Sequence, residues 1–254
     1  MTDTILKIKA ELKMITDPTD NRIVQWRSDT RAGVKSAVKS WDRQHEKNIA
    51  QERAFQGRFA FEHHYWDQGV PYVAGVDEVG RGPLAGPVIA AAVILPHDFN
   101  VVEVIDSKQL SADKRDILYD LIIAQAVSIG FGIVDAQIID DINIYQAARL
   151  AMTKAVQNLA PAPDVLLIDA MTLDLPIVQE SLIKGDALSN SIGAASIVAK
   201  VTRDRIMSDY DEIYPGYGFA KHAGYGTKEH LDQIKKLGIT PIHRRSFGPV
   251  RDQL

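Results

Sequence analysis

The sequence predicts an α/β fold with a mixed central sheet flanked by helices, preceded by a small helical extension. Three observations carry this expectation. From Tyr72 onward, short apolar runs bounded by glycine and polar clusters alternate with longer stretches of helical period. The first two runs are divided only by a glycine loop, which makes them an antiparallel pair inside an otherwise α/β chain. Before Tyr72, the apolar residues recur at helical spacing.

In order along the chain, Ile5, Ile8, Leu12 and Ile15 give a short amphipathic helix, and the stretch 17–21 (DPTDN) interrupts it. Val34, Ala37, Val38 and Trp41 form a second stripe in a basic setting, and Phe55 with Phe59 continues the helical pattern. Residues 1–66 therefore read as a helical extension and 67–254 as the main domain. Strands are expected at 72–76, 88–95, 127–134, 165–168 and 177–183. Helices are expected at 112–126, 144–159, 191–210 and 227–237.

With 254 residues, 46% hydrophobic and 24% charged, the chain suits one globular domain plus an appendage. It has no run of eighteen apolar residues, and its first fourteen mix lysines with aliphatics, so a cytoplasmic protein without a membrane partner is expected. Cysteine is absent, which leaves oxygen or imidazole as metal ligands and favours hard cations. Residues 1–66 hold 12 Lys+Arg against 9 Asp+Glu, while the remainder holds 17 against 24. An excess of +3 is weak, so packing ranks ahead of nucleic-acid contact for the extension. The acidic remainder can meet a polyanion only where clustered carboxylates are neutralised by cations.

The stretch 75–87 (GVDEVGRGPLAGP) is the most informative. Asp77 and Glu78 end an apolar strand, and successive strand residues face opposite ways, so they share a site only if the backbone swings there. Gly80 and Gly82 supply that freedom and let amides approach a sugar or phosphate, and Arg81 adds a cation suited to phosphate. A dinucleotide-binding loop is rejected because the glycines at 80, 82 and 86 are one residue too long for that pattern and a β-like stretch follows. Asp169 closes the buried run 165–168, and Asp186 precedes a helix rich in small residues that could lie close against the sheet. Taken alone, Asp169 suits a turn and Asp186 a helix cap. Together the four carboxylates would repel one another unless divalent cations, Mg²⁺ or Mn²⁺, balanced them. Such a pair of ions can activate water and stabilise a leaving alkoxide, although acidic pockets serve several hydrolases.

These residues sit within GVDEVGRGPLAGPV (75–88), DSKQLS (106–111), INIYQA (142–147), LLIDAM (166–171), KGD (184–186), AASIVAKVTRD (194–204), HAGYGTKEH (222–230) and HRRSFGPV (243–250). In that order they resemble the bacterial ribonuclease HII family, and the extension is similar to that of a subgroup from low-GC Gram-positive bacteria. The resemblance implies an RNase H-like fold with a C-terminal helical part. It also implies a metal-dependent endonuclease that cuts RNA in RNA–DNA hybrids and nicks 5′ to single ribonucleotides in duplex DNA, leaving 3′-hydroxyl and 5′-phosphate ends. By motif match Asp77, Glu78, Asp169 and Asp186 are the catalytic, metal-holding carboxylates. Gly80, Arg81 and Gly82 sense the 2′-hydroxyl, and Tyr225 works with them. A monomer is expected.

Ala223 stands where the family usually has lysine, which removes one cation near Tyr225. Lys221, Lys228, Arg244 and Arg245 are candidates to replace it. His222, His230 and His243 lack the i, i+4 pairing of a zinc helix and read as surface or hydrogen-bonding groups. Asp106, Ser107 and Lys108 could meet phosphate, and a turn with a helix cap explains them equally. Two rivals are a non-catalytic hybrid-binding module and a two-metal DNA nuclease or resolvase on the same fold. The joint presence of the GRG loop and the Tyr225 motif weighs against both.

Overall fold

The structure is a computed structural model that describes residues 3–253. The chain divides into two compact units, one ending at Gly57 and the other beginning at Arg58. The first contains α1 (Ile5–Leu12), α2 (Asn21–Arg27) and α3 (Ala32–Gly57). Thr4 and Asp20 cap the first two by accepting from the N–H groups of Lys7 and Arg22. Ile8, Leu12, Ile15, Ile23, Trp26, Val34 and Val38 make its core. The expected stripes on α1 and α3 are present. α2 is an addition: its seven residues bury only Ile23 and Trp26, too few to establish a period.

The second unit begins with α4 (Ala60–Trp66), then β1 (Val73–Val79), β2 (Val88–Ile94), a 3₁₀ turn at Ser107–Gln109, α5 (Ala112–Gln125) and β3 (Ser128–Val134). It continues with α6 (Ala136–Gln157), β4 (Val165–Asp169), β5 (Val178–Leu182), α7 (Gly185–Leu188) and α8 (Asn190–Ile213). α9 (Phe219–His222), α10 (Lys228–Leu237) and α11 (Gly248–Arg251) complete it. The sheet order is β3-β2-β1-β4-β5, with β1 antiparallel to β2 and parallel to β4. The mixed sheet and the antiparallel first pair match the sequence expectation. No helix among the described residues is long and apolar enough to cross a membrane.

Both faces of the sheet are covered. Ala74, Val76, Leu166 and Ile168 join a core with Ala147, Ala148, Ala151 and Ala155 of α6. On the other face α8 lies so close to β1 that a Cβ on Gly75 would sit 2.0 Å from the carbonyl carbon of Ser191. The run of small residues at the start of α8 permits that approach, as its sequence suggested. Glu62 of α4 is fully buried and accepts from Ser189 Oγ at 2.7 Å and Ser191 N at 2.9 Å, fixing the turn into α8.

α6 begins earlier than its sequence pattern implied. Asn143 leaves helical geometry at φ 67°, and its side chain accepts from the N–H groups of Tyr145 and Gln146. The helix expected from residue 144 is thus the second half of a kinked one, recapped by Asn143.

α9, α10 and the C-terminal segment enclose a second core of Leu84, Met207, Tyr217, Phe219, Ile234, Ile242 and Val250. Three histidines line it. Thr240 N–H donates to Nδ1 of His243 at 2.9 Å, so the proton of His243 is on Nε2, which faces Nε2 of His230 at 3.1 Å. His230 must accept there, and it donates from Nδ1 to the Tyr225 carbonyl at 2.9 Å. The chain of bonds works only with both rings neutral. Burial, reinforced by the neighbouring His230, pushes His243 from 6.5 down to about 4. Its folded pKa lies below its unfolded one, so its stabilising contribution is complete above pH 6.5 and is lost as pH falls toward about 4. That contribution is roughly 3 kcal/mol. The Tm of the protein should therefore drop more steeply between pH 6.5 and 4.5 than that of His243→Gln, and parallel curves would contradict this account.

Candidate active site

β1 does not stop at its acids. Asp77 and Glu78 pair with Ala91 and Ala90 of β2, and the strand runs on to Val79, correcting the expectation that the backbone swings away there. Strand alternation turns Asp77 toward the α8 face with Gly75 and Glu78 toward the face of Val76, yet near the end of the strand the two carboxyls stay close enough for the charge of Glu78 to act on Asp77 and that of Asp169 on both. Asp169 is the last residue of β4. Its predecessor Ile168 pairs with Val76, so Asp169 stands one step on, beside Asp77. Its Oδ1 accepts from Gly185 N at 2.7 Å, which ties the end of β4 to α7, where Asp186 sits. Asp186 does not cap α8; the Ser189 side chain does, accepting from Ile192 N.

Asp169 is the hub of the four, because its negative charge acts on Asp77, Glu78 and Asp186 alike. Burial, then the charges of Glu78 and Asp169, hold Asp77 well above the usual carboxylate range. Burial also raises Glu78, with Asp169 adding and Arg81 opposing across 3.3 Å. Asp186 is raised by burial and by the charges of Asp106 and Asp169. Burial would lower Lys108, but Asp186, Asp106, Asp77 and Asp169 outweigh it and raise its pKa. Lys108 thus faces the acids, while Asp106 caps the 3₁₀ turn and Ser107 Oγ meets Ser196 Oγ at 2.9 Å. The sequence left this segment open between a phosphate contact and a cap; it serves as a cap and also delivers a cation.

Among the described residues no three acidic or histidine side chains form a ready-made ion cage. Three partly or fully buried acids of raised pKa around Asp169 are nevertheless a donor set that suits a hard divalent cation. Glu78 Oε2 is buried without a hydrogen-bond partner and is free to serve one.

The glycine loop is anchored from beneath by two arginines, both fully buried. Arg244 donates to the carbonyls of Gly80 (2.6 Å), Arg81 (3.1 Å) and Gly86 (3.0 and 2.8 Å). Arg203 donates to those of Pro87 (3.0 Å), Ala85 (3.2 Å) and Ala223 (2.9 Å). Gly80 adopts φ 93°, and a Cβ there would lie 2.3 Å from Arg203 Nε, so both conformation and space demand glycine. Burial lowers Arg203 to about 10 and Arg244 to about 9, and both stay charged at neutral pH. The Tyr225 ring stands 3.5 Å from the Cβ position of Gly82, bringing the tyrosine and the GRG loop together. Ala223 takes φ 48° and gives its carbonyl to Arg203. Arg244 is therefore no surface substitute for a lysine at 223, and Lys221 is paired with Glu229. Lys228 and Arg245 remain exposed. Nothing in the side-chain pattern pointed to Arg203, because its partners are backbone carbonyls.

A family model described as Ribonuclease HII matches residues 74–250, and one described as Ribonuclease HII N-terminal domain matches residues 4–66. The chain belongs to the ribonuclease HII family. It is 64% identical to ribonuclease HII of Leuconostoc mesenteroides over 254 residues, covering all of both chains. It is 56% identical to that of Enterococcus faecalis over 252 residues, 99% of each. As a member it is an endoribonuclease, a hydrolase. Among solved structures it resembles the ribonuclease H2 of Pyrococcus horikoshii OT3, with TM-score 0.60, 28% identity, and coverage of 71% of this chain and 95% of that one. Bst-RNase HIII in complex with Mn²⁺ shares the fold at TM-score 0.55 and 18% identity, over 72% of this chain and 68% of that one. The fold is RNase H-like, as the resemblance implied.

Proposed function

We propose that the protein hydrolyses the RNA strand of RNA–DNA hybrids and nicks duplex DNA 5′ to a single embedded ribonucleotide, leaving 3′-hydroxyl and 5′-phosphate ends. The observation that carries this reading is the Tyr225 ring beside Gly82, on the loop that directly follows Asp77 and Glu78. A 2′-hydroxyl is what distinguishes RNA from DNA. Arg244 holds the carbonyls of Gly80 and Arg81 inward, so the loop's amide N–H groups are the donors offered to that hydroxyl. The Tyr225 ring stacks on the following sugar, where a deoxyribose fits better than a ribose, so a ribonucleotide followed by DNA is favoured over an RNA tract. Asp77, Glu78, Asp169 and Asp186 are the catalytic carboxylates and would hold Mg²⁺ or Mn²⁺. When bound, such ions supply activation of water and stabilisation of the leaving oxygen. Arg81, half exposed beside Glu78, is placed to meet a phosphate.

The same reading assigns 67–254 as the catalytic domain, 1–66 as a helical extension, and the whole as a cytoplasmic monomer. Duplex DNA carrying one ribonucleotide decides the matter. Cleavage 5′ to it in Mg²⁺ or Mn²⁺, with all-DNA duplex left intact, is expected. An uncut substrate, or equal cutting of all-DNA duplexes and junctions, overturns the reading.

A further inference from the structure

The exposed ring of Tyr225 stands on a backbone that imidazoles hold from beneath. Its carbonyl accepts from Thr227 N at 2.8 Å and from Nδ1 of His230 at 2.9 Å. One residue earlier, Gly224 N donates to Nδ1 of His222 at 3.2 Å. His222 in turn donates from Nε2 to the Tyr217 carbonyl at 2.8 Å, so this ring also gives from one nitrogen and receives at the other. The His222 and His230 rings stack at 4.6 Å, and the fully buried Phe219 packs edge-on against both.

The same chain of bonds reaches the glycine loop. Nε2 of His230 accepts from His243, and His243 forms a β-bridge with Ala85. On either side of it, Gly86 N donates to the Ile242 carbonyl at 2.9 Å and Arg244 N to that of Leu84 at 2.8 Å. Arg244 is the residue that holds the carbonyls of Gly80 and Arg81. Tyr225 and the loop facing it are therefore fastened to opposite ends of one buried pair of rings. The turn into Tyr225 is left-handed at Ala223 (φ 48°) and Gly224 (φ 81°), a shape that persists only where its surroundings fix it. Apolar side chains would fill this core without the cost of burying polar rings. Imidazole adds what they lack, a donor and an acceptor in one rigid ring that can join two backbone segments without bringing a charge inside.

We propose that His230, backed by His222 and His243, is a positioning residue for Tyr225 and so sets the preference for a ribonucleotide followed by DNA over a continuous RNA tract. The proposal rests on the reading of Tyr225 given above. His230 is fully buried and acts through the Tyr225 backbone, not on the substrate. A ring loosened on its backbone meets ribose and deoxyribose with little difference, so discrimination by fit is what it loses first.

Two neutral substitutions separate the two ends of His230. Asparagine carries a nitrogen where Nδ1 stands, and glutamine reaches to where Nε2 stands. His230→Asn keeps a donor for Tyr225 and gives up the acceptor for His243; His230→Gln does the reverse. The measurement is the ratio of kcat/KM for a single-ribonucleotide duplex to that for an RNA–DNA hybrid, on the full chain in Mn²⁺, with Tyr225→Ala alongside. Both substrates meet the same preparation, so the folded fraction cancels. His230→Gln should lower the ratio about ten-fold, as Tyr225→Ala does, while His230→Asn stays within about two-fold of the parent. Stability should run the other way, with His230→Asn melting lower because it leaves the Nε2–H of His243 unpaired. If neither protein folds, the half-buried His222 gives the same comparison, His222→Asn keeping the acceptor for Gly224 N and His222→Gln losing it. Equal ratios in the asparagine and glutamine variants, or ratios that follow their melting temperatures, overturn the proposal and leave the Tyr225 reading intact. A ratio untouched by Tyr225→Ala overturns that reading and the proposal with it.

Discussion

Asp77→Asn is expected to abolish cleavage, by on the order of 10³-fold or more, while raising the melting temperature. The two effects share one cause. At neutral pH a buried carboxyl whose pKa lies well above the usual range destabilises the fold, because the unfolded chain ionises it freely and the folded one does not. Asparagine keeps an oxygen for the Glu78 N–H, now accepted at 2.7 Å, and removes the repulsion from Glu78 and Asp169. A gain of about 1 kcal/mol corresponds to about 2–4 °C in a chain of this size. Mg²⁺ or Mn²⁺ should raise the Tm of the unaltered protein, since a ligand of the folded state stabilises it, and should do so much less in the variant. Scanning fluorimetry with and without metal reads both. A variant that melts lower than the parent, or that keeps its metal-induced shift, would contradict the assignment.

The second large effect is expected at Arg244. Its guanidinium makes four hydrogen bonds to three carbonyls of the glycine loop, and Arg244→Lys can reproduce only part of that fork. Each buried carbonyl left unpaired costs about 1–3 kcal/mol, so a loss of roughly 2–5 kcal/mol is expected. The loop should also lose its fixed position against Tyr225. The informative readout is the ratio of kcat/KM for a single-ribonucleotide duplex to that for an RNA–DNA hybrid, which a purely structural role would leave unchanged in the molecules still folded. A selectivity collapse of ten-fold or more is expected. Unaltered selectivity at reduced stability would confine Arg244 to folding. Arg203→Lys should behave similarly, because its donors bridge the same loop to the segment before Tyr225.

Much of this was legible in the sequence, and the misses have physical reasons. The antiparallel β1–β2 pair followed from a short loop, and the close α8 from its small residues. Asp169 at a strand end was visible as a buried apolar run stopping on an acid. The kink in α6 was hidden because the pattern before Asn143 is short and acidic, so only the recapped half carried a period. β1 continues through Asp77 and Glu78 because backbone pairing with β2 does not depend on side-chain polarity. Arg244 was read as a surface charge, since arginine is seldom fully buried; its burial rests on carbonyls that converge only after folding. The histidines were read as surface or hydrogen-bonding groups; His230 and His243 prove to be buried, and their ordered proton chain needed coordinates.

The paired arginines have a consequence for long-range attraction. The chain carries a net charge of −4, yet its substrate class is a polyanion. Surface lysines attract such a target only within the reach that salt allows, about 8 Å at physiological ionic strength. Arg203 and Arg244 place two fixed positive charges beneath the loop surface, where mobile ions do not reach them and no side-chain ordering is needed when a strand arrives. An acidic protein can in this way keep a permanently positive floor under one small area of its surface.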